Sequence, residues 1–205
     1  MKLKQKNKWE SLASKSIIKR TMKSLSENGI EAYYAEDSEK AIETVMKIIP
    51  EMSEVMTMTS MTLEEAGIDK EINYSEFFVS VRKKLLSMSN EKEKKKQGAS
   101  SDFTLGSVHA VSEKGEIMIA SNTGSQIPAY AYSSGKVLFV IGTQKIVKNL
   151  DEGFKRIYEH CLPLEDKRAR KAYGVGSSVN KILIINKEVE RDRIKLIFVN
   201  EVLGF

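Results

Sequence analysis

Apolar patterns of helical and of strand period alternate along this chain, and that alternation restricts its fold more than any other feature. Trp9, Leu12, Ala13, Ile17, Ile18, Met22 and Leu25 recur at roughly helical spacing. Residues 6–28 therefore read as a helix with one apolar stripe, and Gly29 supplies its stop. Ile30 to Ala35 reads as a strand. Asp37 can cap a second helix carrying Ala41, Ile42, Val45, Met46, Ile48 and Ile49, which ends before Pro50. Glu54 to Thr59 is a short strand. This order predicts a layered α/β fold, a mainly parallel sheet with helices on both faces. One domain is expected over residues 30–205, with residues 1–29 as a helical segment packed on it.

Further along, Thr62 and Glu65 have the spacing of a capping box, which predicts a short helix from Thr62 to Gly67. Residues 74–88 suit a helix with Phe77, Phe78, Val81, Leu85 and Met88 on its core side. The charged run 89–98 reads as a solvated helix end or loop. Strands are predicted at Phe103 to Leu105 and Glu116 to Ala120, with Lys114-Gly115 as a turn between them. Lys136 to Ile141 is a buried strand. Asn149 can cap a helix whose stripe is Leu150, Phe154, Ile157, Tyr158 and Cys161. Ile182 to Ile185 and Ile194 to Val199 are the last strands. There is no internal repeat and no linker long enough to divide domains.

Composition removes several function classes. No run approaches the roughly 18–20 apolar residues of a membrane span, and the basic start leads into no apolar leader segment, so a cytoplasmic protein is expected. A single cysteine, Cys161, excludes an intrachain disulfide and a cysteine-rich metal site, and no metal site is predicted. The net charge of +5 is local: residues 1–30 hold eight Lys/Arg against two Glu, and the rest is close to neutral. A solvated basic face is the plainer reading. Few aromatics accompany it, so nucleic acid is not an expected partner. Gly174-Val-Gly176 follows a charged stretch and lacks the third glycine of a dinucleotide loop. There is no P-loop, zinc-binding His-Glu-x-x-His or hydrolase elbow.

Three segments, in this order and spacing, resemble the lactate-utilisation (LUD) family. They are Thr59-Ser-Met-Thr-Leu-Glu-Glu-Ala-Gly-Ile68; Asp102-Phe-Thr-Leu-Gly-Ser-Val-His-Ala-Val-Ser-Glu-Lys-Gly-Glu-Ile117, continuing into Asn122-Thr-Gly-Ser-Gln126; and Lys136-Val-Leu-Phe-Val-Ile-Gly-Thr-Gln-Lys-Ile-Val-Lys-Asn-Leu150. The closing Ile197-Phe-Val-Asn-Glu-Val-Leu-Gly-Phe205 resembles the family's last strand and tail. The resemblance implies a Rossmann-like fold of the sugar-phosphate isomerase and CoA-transferase group. It also implies a link to L-lactate oxidation beside iron–sulfur partner subunits. Several relatives carry a cysteine-rich segment where this chain has residues 162–179. One thiolate cannot hold an iron–sulfur cluster, so no intrinsic cofactor is predicted and any cluster belongs to a partner.

In open α/β sheets ligands bind beyond the carboxyl ends of the strands. The strand-ending stretches rich in small polar residues are therefore the candidate site: Thr59, Ser60 and Thr62; Asn122, Thr123, Gly124, Ser125 and Gln126; and Gly142 to Lys145. Together they offer hydroxyls, backbone N–H groups and one ammonium, the equipment of a pocket for a small anion such as an organic acid or a phosphorylated or CoA-linked compound. Each has a plainer reading: Ser60 and Thr62 as caps, Gly124 and Gly142 as turn residues, Lys145 as a solvent-facing lysine. Glu64, Glu65 and Glu113 are carboxylates that can act as base or nucleophile, or simply wet a helix face. His109 reads as a packed residue, Cys161 as buried and inert, and Tyr173 to Asn180 as a loop over the pocket. No residue is singled out as catalytic, and the sequence leaves room for a homo-oligomer. Two functions follow: a LUD-type component of organic-acid utilisation with iron–sulfur partners, or a self-contained isomerase- or transferase-like enzyme.

Overall fold

The structure, a computed structural model, describes residues 7–205. A 3₁₀ turn at Lys8–Glu10 precedes helix α1 (Lys15–Glu27), strand β1 (Glu31–Ala35) and helix α2 (Ser38–Ile48). β2 (Glu54–Thr57) leads through α3 (Met61–Glu65) and α4 (Ile68–Tyr74) to the two-residue β3 (Val79–Ser80). α5 (Val81–Ser87) and α6 (Glu91–Ala99) return the chain to β4 (Phe103–Gly106). β5 (Ala110–Ser112) and β6 (Ile117–Ser121) pair as a hairpin, and a π turn at Ala129–Ser133 precedes β7 (Lys136–Gly142). After β8 (Ile146–Val147), α7 (Leu150–Arg156) runs through a π turn at Ile157–Cys161 into α8 (Leu162–Tyr173). β9 (Lys181–Ile185) and β10 (Ile194–Val199) complete the order.

Six strands form a parallel sheet in the order β1-β10-β7-β4-β2-β3. Side chains alternate across a strand, and the two central strands divide accordingly. Val137, Phe139, Ile141, Ile194, Leu196 and Phe198 join one apolar cluster; Leu138, Val140, Ile197 and Val199 join another. Both faces are thus buried, which is why these runs are apolar throughout. Ala41 and Val45 of α2, Leu63 of α3 and Ile68 and Ile72 of α4 cover one face. Ile18 and Leu25 of α1 and Val81 of α5 cover part of the other. Tyr130 meets Phe139 edge to face there, with ring centroids 4.9 Å apart.

The α/β class and the parallel sheet with helices on both faces stand as the sequence predicts. The second face has an additional cover: a four-stranded sheet, β8-β5-β6-β9, whose pairs are antiparallel except β5 with β8. Val111, Ile117, Ile119 and Ile185 join the main core from it, while Ala110 and Met118 pack with Ile157 beside the π turn. β5 and β8 are three and two residues long, too short to carry a readable period.

Several boundaries differ. The helix expected over 6–28 begins at Lys15, because Ser14 caps it by accepting from Ile17 N–H; Lys6 lies outside the described residues. The capping box at Thr62 does not form. Ser60 is the cap instead, accepting from Leu63 N–H at 3.4 Å, and the Glu65 carboxylate accepts from Gly204 N–H. The helix expected over 74–88 is split. Ser75 ends α4, Val79–Ser80 joins the sheet edge, and only Val81–Ser87 is helical. The charged run is a helix of its own, α6, capped by Asn90 and without a buried residue.

Gly142 ends β7 against the C-terminal segment. A Cβ at this position would run into the Gln144 side chain and the backbone of Glu201 and Leu203. Gly142→Ala is therefore expected to cost about 1–3 kcal/mol by overpacking. Thermal unfolding should show it as a fall of roughly 2–4 °C per kcal/mol; an unchanged melting temperature would mean that the tail packs elsewhere.

Candidate functional site

The order of the parallel sheet creates one crevice. From β2 the chain runs outward to the edge strand β3; from β4 it runs the other way, to β7 and then β10. Loops leaving neighbouring strands in opposite directions part at their carboxyl ends and leave a gap there. Thr59 and Ser60 follow β2, Ser107 follows β4, and Lys145 follows β7. The loop after β6, residues 122–126, reaches the same place from the small sheet. A cavity of about 450 Å³ opens between these segments.

Lys145 is the group that organises it. The 3₁₀ turn Thr143–Lys145 carries the side chain inward, so the residue is 2 % exposed rather than solvent-facing. Its Nζ donates to Thr62 Oγ1 at 2.8 Å and to Ser107 Oγ at 3.2 Å. Thr62 Oγ1 donates onward to Leu203 O at 3.2 Å. Gln144 Nε2 also donates to Leu203 O, at 2.9 Å, which ties the turn to the C-terminal segment. Burial, reinforced by the nearby Arg156 cation, pushes the Lys145 amine down to about 7. An ammonium has three N–H donors; two are taken by protein hydroxyls, leaving one for a ligand.

Arg156 is fully buried behind the cavity wall. Its Nη1 donates to His109 O at 2.7 Å and to Cys161 Sγ at 2.8 Å, and both of those residues line the cavity. Its Nε and Nη2 meet no acceptor among the described residues. The π turn at Ile157–Cys161 presents Ile157 and Cys161 to the cavity. Burial raises the Cys161 thiol, so it is held as a neutral, buried group, as the sequence suggests.

His109 is also neutral. Its Nδ1 accepts from Ala120 N–H at 3.1 Å, which fixes the tautomer with the proton on Nε2. Burial, with Lys145 and Arg156 adding to it, pushes the imidazole down to about 3. No acceptor among the described residues takes the Nε2 proton.

Of the nine residues proposed from sequence, Ser60, Thr62, Asn122, Thr123, Ser125, Gln126 and Lys145 come together on the cavity wall. Gln126 Nε2 donates to Thr59 O at 3.1 Å, joining two of the loops. Asn122 Oδ1 accepts from Asn180 Nδ2 at 2.7 Å and from Ser178 Oγ at 3.3 Å. Those bonds hold the segment after α8 against the cavity, where Tyr173 and residues 175–179 line it as the covering loop expected there. Gly124 and Gly142 are not in the lining. Gly124 has φ +85° and packs on the Lys181 side chain, so it serves the turn. Among the carboxylates, Glu64 faces the cavity, Glu65 holds Gly204 N–H, and Glu113 pairs with Arg20.

Sequence reasoning missed Ser107, Arg156, and the pair Glu165 and Arg168 on the cavity's outer wall, joined at 2.7 Å. Ser107 was findable, since it follows a strand end just as Thr59 does. Arg156 was not signalled: helical spacing places it off the apolar stripe, no better marked than its neighbour Lys155. Chemically, the arrangement holds one titratable amine, one buried guanidinium and one neutral imidazole donor around hydroxyl-rich loops, with no carboxylate paired to either cation among the described residues.

The family profile of the LUD domain matches residues 18–199. Among solved structures, the crystal structure of a DUF162 family protein from Deinococcus radiodurans superposes with a TM-score of 0.57 at 12 % identity. The match covers 92 % of this chain and 99 % of that one, and it speaks for the fold. No curated protein matches at a significant level.

Proposed function

The chain belongs to the LUD domain family, and we propose from this premise that it serves the utilisation of L-lactate or a related organic acid, held as a small anion around Lys145. The observation that carries this reading is that the two buried cations, Lys145 and Arg156, have no carboxylate paired to them among the described residues. An isolated buried cation is costly, and Arg156 keeps two donors without an acceptor. A carboxylate entering beside Lys145 would supply the missing charge and take the remaining ammonium N–H. Hydroxyls of Thr62 and Ser107 orient the amine, and Asn122, Thr123, Ser125 and Gln126 line the same cavity. Oxidation of a hydroxy acid needs an electron acceptor. Cys161 is the chain's single cysteine, so an iron–sulfur cluster would reside in a partner subunit and no redox step is assigned to this chain.

A second reading is a self-contained isomerase- or transferase-like enzyme for a phosphorylated or CoA-linked substrate. The cavity volume favours it. About 450 Å³ lies within the roughly 300–1,000 Å³ of sites for larger ligands, more than a three-carbon acid fills. Glu64 and Glu165 on the wall supply the carboxylates such chemistry uses.

Calorimetric titration with L-lactate, pyruvate, CoA, acetyl-CoA and a sugar phosphate separates the two readings. Saturable binding of lactate or pyruvate is expected under the first, and tighter binding of the CoA or phosphate compounds under the second. Absence of binding by every compound would contradict both.

A further inference from the structure

Lys145 has more than charge to offer. A buried amine beside another cation, with no carboxylate to hold its proton, is the setting in which lysine becomes a nucleophile toward carbonyl carbon. Here the second cation is Arg156, and the partners of Nζ are the neutral hydroxyls of Thr62 and Ser107. Thr62 already donates to Leu203 O, so it can only accept from the amine. Ser107 has no such commitment among its described bonds and can donate or accept. His109 lines the same cavity with its Nε2 proton free, a neutral donor for a carbonyl oxygen.

We propose that Lys145 captures the ketone of a small 2-oxo acid in this cavity as an imine. The proposal rests on the organic-acid reading and names the chemistry of that site. The neutral Nζ lone pair adds to the carbonyl carbon, forming the C–N bond. The carbonyl π pair moves to oxygen, which accepts from His109 Nε2–H. That oxygen gains the two hydrogens of the amine, relayed by Ser107 Oγ, the C–O bond breaks, and water leaves. Atoms balance as amine plus ketone to imine plus water, with no change of oxidation state. The carboxylate of the acid offsets the Arg156 charge and the positive charge that the nitrogen carries after addition.

The availability of the neutral amine follows separately. With its pKa brought to about 7 in the free protein, roughly half the Lys145 population is unprotonated at neutral pH, against about one in 2,500 for an ordinary lysine.

The full-length protein is incubated with pyruvate and borohydride at pH 7, digested, and mapped by mass spectrometry, with a parallel calorimetric titration of pyruvate. The expected result is a reduced pyruvyl adduct on Lys145 in about tenfold or greater excess over any other lysine. Its yield should rise with pH through 7 and fall about tenfold or more in His109→Leu, whose side chain has no N–H, as loss of one preorganised donor predicts. Pyruvate that binds without an adduct at Lys145, or adducts spread evenly over surface lysines, would overturn the imine and leave the anion site standing. Absence of both binding and adduct would overturn the imine together with the organic-acid reading.

Discussion

Lys145→Met should raise the melting temperature at pH 7 and remove much of the gain in stability that the native chain shows from pH 7 to about 10. In the folded chain the amine titrates near 7; unfolded, it titrates near its ordinary value. Between those two values the unfolded chain binds the extra proton, so stability rises with pH. Below pH 7 the folded chain carries the full penalty of the buried charge, on the order of 4–5 kcal/mol at about 1.4 kcal/mol per unit. Met has nearly the same length and no charge, and replacing a buried cation by a packed apolar residue is commonly neutral or stabilising. Loss of the bonds to Thr62 and Ser107 offsets part of the gain, leaving roughly 2–3 kcal/mol. Chemical denaturation of both proteins from pH 6 to 10 measures this directly. Parallel curves for the two would mean that Lys145 is not buried as described.

The second large effect concerns acid. His109 is neutral in the folded chain down to about pH 3 and ordinary when unfolded. Below about 6.5 the unfolded chain takes a proton that the folded chain refuses, so stability is lost as pH falls across that window. The ring faces the cavity on one side, and the water there screens the charge in part, so the loss is about 3 kcal/mol rather than the full value. His109→Gln retains an acceptor for Ala120 N–H and cannot charge. Urea midpoints from pH 7 to 3.5 should therefore fall less steeply in the variant. Other acids and His160 titrate in both proteins, so the difference between the two curves is the quantity to read; a difference that stays flat with pH contradicts the assignment.

The parallel sheet was legible because its strands are long, apolar and bounded by helix signals. β7 and β10 alternate between two buried faces, and continuous apolar runs are how such strands look in sequence. β5 and β8 were not legible, since their residues pair across more than thirty positions of chain and carry no period of their own. At the site, the strand-end rule found the loops at Ser60, Thr123 and Lys145 without knowing their arrangement. It did not reveal that Lys145 points inward, which depends on a single 3₁₀ turn and on the tail that Gln144 holds. Thr62 was misread for a similar reason: its hydroxyl serves a tertiary bond instead of the local cap. Arg156 became meaningful only once its neighbours were known to be His109, Cys161 and no acid.

The central claim, that the cavity around Lys145 binds a small anion, is tested most directly by a thermal-shift screen of the native chain and Lys145→Met side by side. The panel holds lactate, pyruvate, CoA, acyl-CoAs and sugar phosphates. A ligand at about 100 times its dissociation constant stabilises by roughly 2.7 kcal/mol, enough to move the transition by several degrees. The account predicts such a shift for at least one compound in the native chain and its near-complete loss in the variant. An equal shift in both proteins, or none in the native chain, would contradict it.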